Sequence, residues 1–193
     1  MNNYALLLLH FQRDICEKGG PMAPSDPEKL DRIAQSMIRA AALAVDVRNA
    51  QQPVLHCAFG REKDGFFYSQ APLFDWIQKQ GAVIRGTHGH GFCDVVTPQT
   101  QDIVFHGKGI NAFSGTDLQG IISSRGITNL ILSGFAAQWT VESTGRDAAD
   151  RGYRVIVASD CCESGDAENK VGALSRLSDL GEVLTSPQIR EIL

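Results

Sequence analysis

The side chain best placed to react is a threonine. Asn129 to Asp147 reads NLILSGFAAQWTVESTGRD, in which the apolar run Leu130-Ile131-Leu132 ends at Ser133-Gly134. A short turn from Phe135 to Trp139 follows, and a segment with helical character opens at Thr140. Strand, tight turn and helix start is where α/β enzymes hold a nucleophile or an anion, because the first N–H groups of a helix lack intrahelical acceptors. A hydroxyl is far less acidic than a thiol and attacks a carbonyl only with a positioned base. His10 is the candidate base: the apolar run Ala5 to Leu9 gives way there to His10-Phe11-Gln12-Arg13-Asp14. An unperturbed imidazole pKa of about 6.5 suits that task. The simpler use of Thr140 is as a helix cap, a place threonine commonly takes.

Other chemistry-bearing residues are poorer candidates. His88 and His90 in GTHGHG are spaced for neither a metal triad nor one helix face, so no metal is expected, although His88 is a candidate for the mouth of a pocket. Cys16, Cys57, Cys93, Cys161 and Cys162 form an odd set without a CxxC pair, which points to reduced, inert thiols and a cytoplasmic setting. No cofactor motif is present.

The elements that position these residues alternate. Ala5–Leu9 has the continuous apolar character of a parallel strand covered on both faces. Ser25-Asp26-Pro27-Glu28 starts a helix, and the spacing of Leu30, Ile33, Met37, Ile38, Ala41, Ala42 and Val45 carries it to about Asn49. Pro53–Phe59 reads as a strand, residues 60–70 as a loop, Leu73–Gln80 as a short helix or turn and residues 81–98 as a surface loop. Asp102–His106 reads as a strand, Thr116–Arg125 as a helix, and the strand at Leu130 is followed by a helix from about Thr140 to Arg151. Tyr153–Ala158 is a strand closed by Ser159-Asp160-Cys161-Cys162, and a helix from about Asp166 to Leu180 and a short element near Val183 follow. This order predicts a three-layer α/β/α, doubly wound, mainly parallel fold in a single domain over residues 1–193. The composition, 43% hydrophobic and 21% charged, is that of an ordinary soluble protein, and a net charge of -4 argues against nucleic acid as a partner. The N-terminal apolar run is too short to span a membrane.

Three blocks taken together resemble the isochorismatase-like hydrolases, the superfamily of nicotinamidases, N-carbamoylsarcosine amidases and isochorismatases. They are ALLLLHFQRD, DIVFHGKGINAFSGTDL and SGFAAQWTVESTGRDAADRGYRVIVASDCCES, in the family's order and spacing over nearly the whole chain. The resemblance implies a cysteine nucleophile after Gly-(apolar)-Ala, an aspartate after the first strand and a lysine at the end of the middle strand. Position by position, the cysteine falls on Thr140, the aspartate on His10 and the lysine on Gly107, with Lys108 adjacent. Gln12 and Asp14 hold the flanking register of the aspartate position. The family's turn carries a cis peptide before the position of Ala136, so Phe135, Ala136, Trp139 and Thr140 are its expected oxyanion turn. The metal-ligand pair of nicotinamidases is replaced by Ala58-Phe59-Gly60.

Two functions follow from the resemblance. One is a pseudoenzyme that keeps the pocket at the carboxyl edge of the sheet, walled by Phe11, Phe113 and Trp139, and binds a small molecule without thiol chemistry. The other is a hydrolase of a small amide or enol ether that uses His10 as acid or base with Thr140 and Lys108. The family is commonly oligomeric, so a homo-oligomer is expected.

Overall fold

The computed structural model describes residues 3–67 and 69–193; Met1, Asn2 and Tyr68, which fall in the predicted N-terminal run and the predicted 60–70 loop, lie outside the described residues. Six strands form one sheet: β1 (Tyr4–Leu9), β2 (Val54–Phe59), β3 (Ile103–Gly107), β4 (Asn129–Phe135), β5 (Arg154–Glu163) and β6 (Glu182–Leu184). Their order is β3-β2-β1-β4-β5-β6, and every pairing is parallel. The helices between them are α1 (Arg13–Cys16), α2 (Pro27–Asn49), α3 (Pro72–Lys79), α4 (Leu118–Ser123), α5 (Glu142–Asp150), α6 (Ala167–Leu177) and α7 (Ser186–Arg190).

The run of leucines in β1 explains the three layers. Successive strand residues face opposite sides, so Tyr4, Leu6 and Leu8 enter one core while Ala5, Leu7 and Leu9 enter the other. The first core is closed by α2 through Ile33, Met37, Ala40, Leu43 and Val47, the second by α4, α5 and α6 through Leu118, Ile122, Ala148, Ala173 and Leu177. A strand covered on both faces must be apolar throughout, and all six residues of β1 are buried.

The strand order reverses direction between β1 and β4. In open parallel sheets, connections leave to opposite sides at such a point and a crevice opens beyond the strands' carboxyl ends. The close approach of the two strands there requires Gly134: a Cβ at that position would lie 2.6 Å from the Leu9 carbonyl oxygen and 2.7 Å from its Cβ.

Two predicted segments differ from the structure. β5 continues past Ala158 to Glu163, because an irregularity after Val157 lets the strand resume pairing with β4 at Gly134–Cys162. Asp160 lies in this extension and accepts hydrogen bonds from Ser186 N and Oγ, both at 2.7 Å, which tethers the start of α7. Residues 81–98 are not a free surface loop either. Val83 N donates to Asp14 Oδ2 at 2.7 Å, Asp14 N to the Gly89 carbonyl, Arg13 N to the Gly91 carbonyl and Cys93 N to the Phe11 carbonyl. Ala82, Val83, His90, Cys93 and Val96 are buried as a result. No described helix is long and apolar enough to cross a membrane.

Candidate functional site

The crevice holds a cavity of about 310 Å³. Its floor comes from the two strands flanking the reversal: His10 follows β1, and Phe135, Ala136, Gln138, Trp139 and Thr140 follow β4. Phe59 comes from the end of β2, and α3 presents Leu73, Trp76 and Ile77 at the i, i+3, i+4 spacing of one helix face. Met22, Pro24, Lys29, Ile110 and Gly165 complete the rim, with Ile15 below. Among the described residues the lining contains no cysteine and no carboxylate.

Thr140 stands inside a π-helical turn, Ala137–Val141, that runs on into α5. Single π turns occur mostly within α-helices and are frequent at functional sites. The Phe135-Ala136 peptide bond is cis. The N–H groups of Trp139 and Thr140 both turn back onto the Ala136 carbonyl at 3.0 Å. Of the first four N–H groups of this helix, those of Ala137 and Gln138 are therefore the ones with no carbonyl a turn behind them. The Gln138 amide oxygen accepts from Ser164 Oγ at 2.6 Å. The Thr140 hydroxyl does not cap the helix. Its Oγ1 is buried, faces the cavity and has no hydrogen-bond partner among the described residues.

His10 adopts a left-handed conformation, φ 58°, which few non-glycine residues do. The turn ends β1 and directs the imidazole into the cavity, stacked on Phe59 with centroids 5.2 Å apart. His10 Nε2 is also buried without a partner. Burial pushes its pKa down to about 3, because nothing charged compensates the lost hydration of an imidazolium. Around neutral pH His10 is an uncharged ring.

Gln12 and Asp14, which carry the flanking register, are structural. Gln12 is fully buried and joins three backbone groups: its amide donates to the carbonyls of Phe59 (3.0 Å) and His90 (2.8 Å) and accepts from Phe59 N (2.8 Å). It locks the ends of β1 and β2 to the 81–93 segment.

The remaining predicted site residues are placed elsewhere. Lys108 lines an adjoining cavity with Phe74, Gly109, Ile110, Asn111 and Ser114 and is not among the residues lining the cavity of His10 and Thr140. Gly107 ends β3, where an added Cβ would meet Thr116 Cγ2 at 3.2 Å. Of the three predicted apolar walls only Trp139 lines the cavity. Phe11 is wholly buried in the core on the α2 side, because the left-handed turn at His10 directs the following residue inward. Phe113 packs on the opposite side of the sheet, stacked on Tyr153 and covered by the Arg151 guanidinium 4.6 Å from its centroid. His88 is exposed at the tip of its loop and does not line the cavity.

The other histidines and the thiols are not among the residues that line the cavity. His90 stacks on His106 (5.4 Å) and is pushed down to about 4 by burial, with His106 and Arg85 adding to the effect. His56 lies against Asp102 (Nε2 to Oδ2, 3.1 Å), whose carboxylate is also gripped by Arg48, and burial outweighs that carboxylate and lowers the His56 pKa. Among the described residues no group of three or more metal-ligating side chains is assembled. Ala58, Phe59 and Gly60, where the resemblance expects the nicotinamidase ligands, carry no metal-ligating side chain, and Phe59 lines the cavity as an apolar wall. All five cysteines are buried and free, and burial raises the Cys57 and Cys161 thiols and pushes Cys162 up to about 12.

Several lining residues escape a sequence reading. Leu73, Trp76 and Ile77 leave a visible trace as an apolar stripe in PLFDWIQK. Lys29 and Gln138 leave none, because only the fold brings the start of α2 and the turn after β4 against the β5–α6 connection.

Comparison with known proteins agrees with this architecture. The family model of the Isochorismatase domain matches residues 4–188. A maleamate amidohydrolase of Pseudomonas putida is 24% identical over 161 residues, 81% of this chain and 70% of the relative. A ureidoacrylate amidohydrolase of Methylorubrum extorquens is 29% identical over 186 residues, 89% of this chain and 75% of the relative. The crystal structure of an isochorismatase family protein from Desulfovibrio vulgaris superimposes with a TM-score of 0.89 at 19% identity, covering 100% of this chain and 98% of the other.

Proposed function

This chain belongs to the isochorismatase family, and from that premise we propose that it binds a small molecule in the His10–Thr140 cavity without the thiol chemistry of its hydrolase relatives. The observation that carries the proposal is the composition of the cavity wall, which has no cysteine and no carboxylate among its described residues. A thiol attack needs a thiolate within reach, and the five cysteines are buried with none lining the cavity. The general acid or base of the mechanism needs a titratable group near the working pH. His10 is the one candidate in the wall, and its pKa of about 3 leaves it uncharged at pH 7, unable to act as an acid. As a base it is weaker than an ordinary imidazole for the same reason.

One observation favours residual catalysis. Thr140 and His10 line the same cavity, as a hydroxyl nucleophile and its base must, although Oγ1 and Nε2 are both unpartnered and so not hydrogen-bonded to each other. The two functions separate in a hydrolysis assay. Ammonia release from maleamate, ureidoacrylate and simple aromatic amides is measured with and without the protein. The binding function predicts no protein-dependent release. Release that disappears in Thr140→Ala or His10→Ala overturns it in favour of a threonine hydrolase.

A further inference from the structure

The charge in the cavity wall bears on which molecules enter. Among the described lining residues Lys29 alone carries a charge at neutral pH, since His10 is uncharged and the rest are apolar or neutral. Lys29 comes from the first turn of α2, and its Nζ lies 2.6 Å from Asp166 Oδ1, the residue beside the lining Gly165. The two side chains are 33% and 63% exposed. An ion pair so exposed adds little to stability, so its main consequence is local: it cancels the cation at the rim. Arg32, one turn further along α2, also acts on Asp166 and lowers its pKa together with Lys29.

The deep end of the cavity has the opposite need. Thr140 Oγ1 and His10 Nε2 are buried there without partners, and a buried polar atom left unpaired costs free energy that a ligand's hydrogen bond can recover. A neutral hydroxyl and a neutral imidazole complement one uncharged group that donates or accepts hydrogen bonds. An ionised carboxylate placed there would lose its hydration against apolar walls and gain no countercharge. The walls above are aromatic, with Phe59 and Phe135 buried and Trp76 and Trp139 at the mouth, 44% and 47% exposed.

From this arrangement, and resting on the proposed binding role of the cavity, we infer that the Lys29–Asp166 ion pair makes the site selective for uncharged ligands, flat aromatic molecules with one hydrogen-bonding head group. Asp166 is then a specificity-determining residue although it does not line the cavity. By their names the amidohydrolase relatives act on maleamate and ureidoacrylate, whose carboxylates would meet no free cation here.

The test uses two probes of equal shape and different charge, 2-naphthamide and 2-naphthoate, titrated into the full chain by calorimetry at pH 7. For the wild type, the amide binds at least about tenfold more tightly than the carboxylate, a difference of roughly 1.4 kcal/mol. Asp166→Asn keeps a side chain equally suited to the start of α6 and frees Lys29. It strengthens naphthoate binding by at least about fivefold through the uncovered charge and leaves the amide within about twofold. Thr140→Val weakens the amide and leaves naphthalene, which has no head group, unaffected. Wild-type binding of naphthoate as tight as that of the amide, an unchanged ratio in Asp166→Asn, or no saturable binding of either probe overturns the inference. Conversion of the amide to naphthoate and ammonia by the wild type would instead overturn binding without turnover, and the charge preference would still be read from the initial binding ratio.

Discussion

A buried hydroxyl without a partner costs the free protein stability, and Thr140 is such a group. Thr140→Val keeps the shape and removes the unsatisfied oxygen, so it should stabilise the ligand-free chain by about 1 kcal/mol, or roughly 2–4 °C in Tm for a chain of this size. Thermal unfolding monitored by circular dichroism checks this, and a loss of 1 kcal/mol or more would mean that Oγ1 has a partner in solution. His10 carries the corresponding pH dependence. Its folded pKa lies near 3, below the ordinary 6.5, so between these values the unfolded chain binds more protons than the folded one. Stability is therefore complete above about pH 6.5 and falls as pH drops toward 3, by up to about 1.4 kcal/mol per pH unit for each such histidine. His90, near 4, and His56, also lowered, act in the same direction. Urea titrations from pH 7 to 4.5 should show this decline, with His10→Phe shallower than wild type; parallel curves would contradict the assigned burial of His10.

The connections at the carboxyl ends of the strands form the site, and two of their residues should be sensitive to substitution. Gly134→Ala sets a Cβ against the Leu9 backbone, an atom that cannot move without shifting β1, and should cost about 1–3 kcal/mol. Gln12→Leu leaves the Phe59 N–H and the Phe59 and His90 carbonyls unsatisfied, at about 3 kcal/mol or more in total. It should also free the 81–93 segment for limited proteolysis; a cleavage pattern identical to that of wild type would show that other contacts hold the segment. These elements divide by how far the sequence reveals them. The strand–turn–helix pattern around Gly134 and the polar HFQRD run are local signals, so His10 and Thr140 could be placed on one sheet edge from the sequence. The walls could not be so placed. Phe11 and Phe113 looked equivalent to Trp139 by proximity in sequence, but the φ of His10 turns one into the core and the topology carries the other across the sheet. The extension of β5 beyond Ala158 depends on pairing with Gly134, a contact between distant segments that no local pattern encodes.

At the scale of the whole molecule, the parallel order of strands and the reversal between β1 and β4 account for where the cavity lies, independently of which residues line it. Fold and family were legible in the continuous apolar strands and in three motif blocks, because a doubly covered parallel sheet imposes that pattern along the chain. Chemistry is a separate property of the same scaffold. The sheet edge, the π turn and the cis Phe135-Ala136 bond are present, with a threonine at the position where the family resemblance expects the nucleophilic cysteine. The most direct measurement of whether that position reacts is intact and peptide mass spectrometry after incubation with p-nitrophenyl acetate, an activated ester that acylates competent nucleophiles. The account predicts no acetyl group on the peptide containing Thr140. An acetyl group on Thr140 that vanishes in His10→Ala would contradict it.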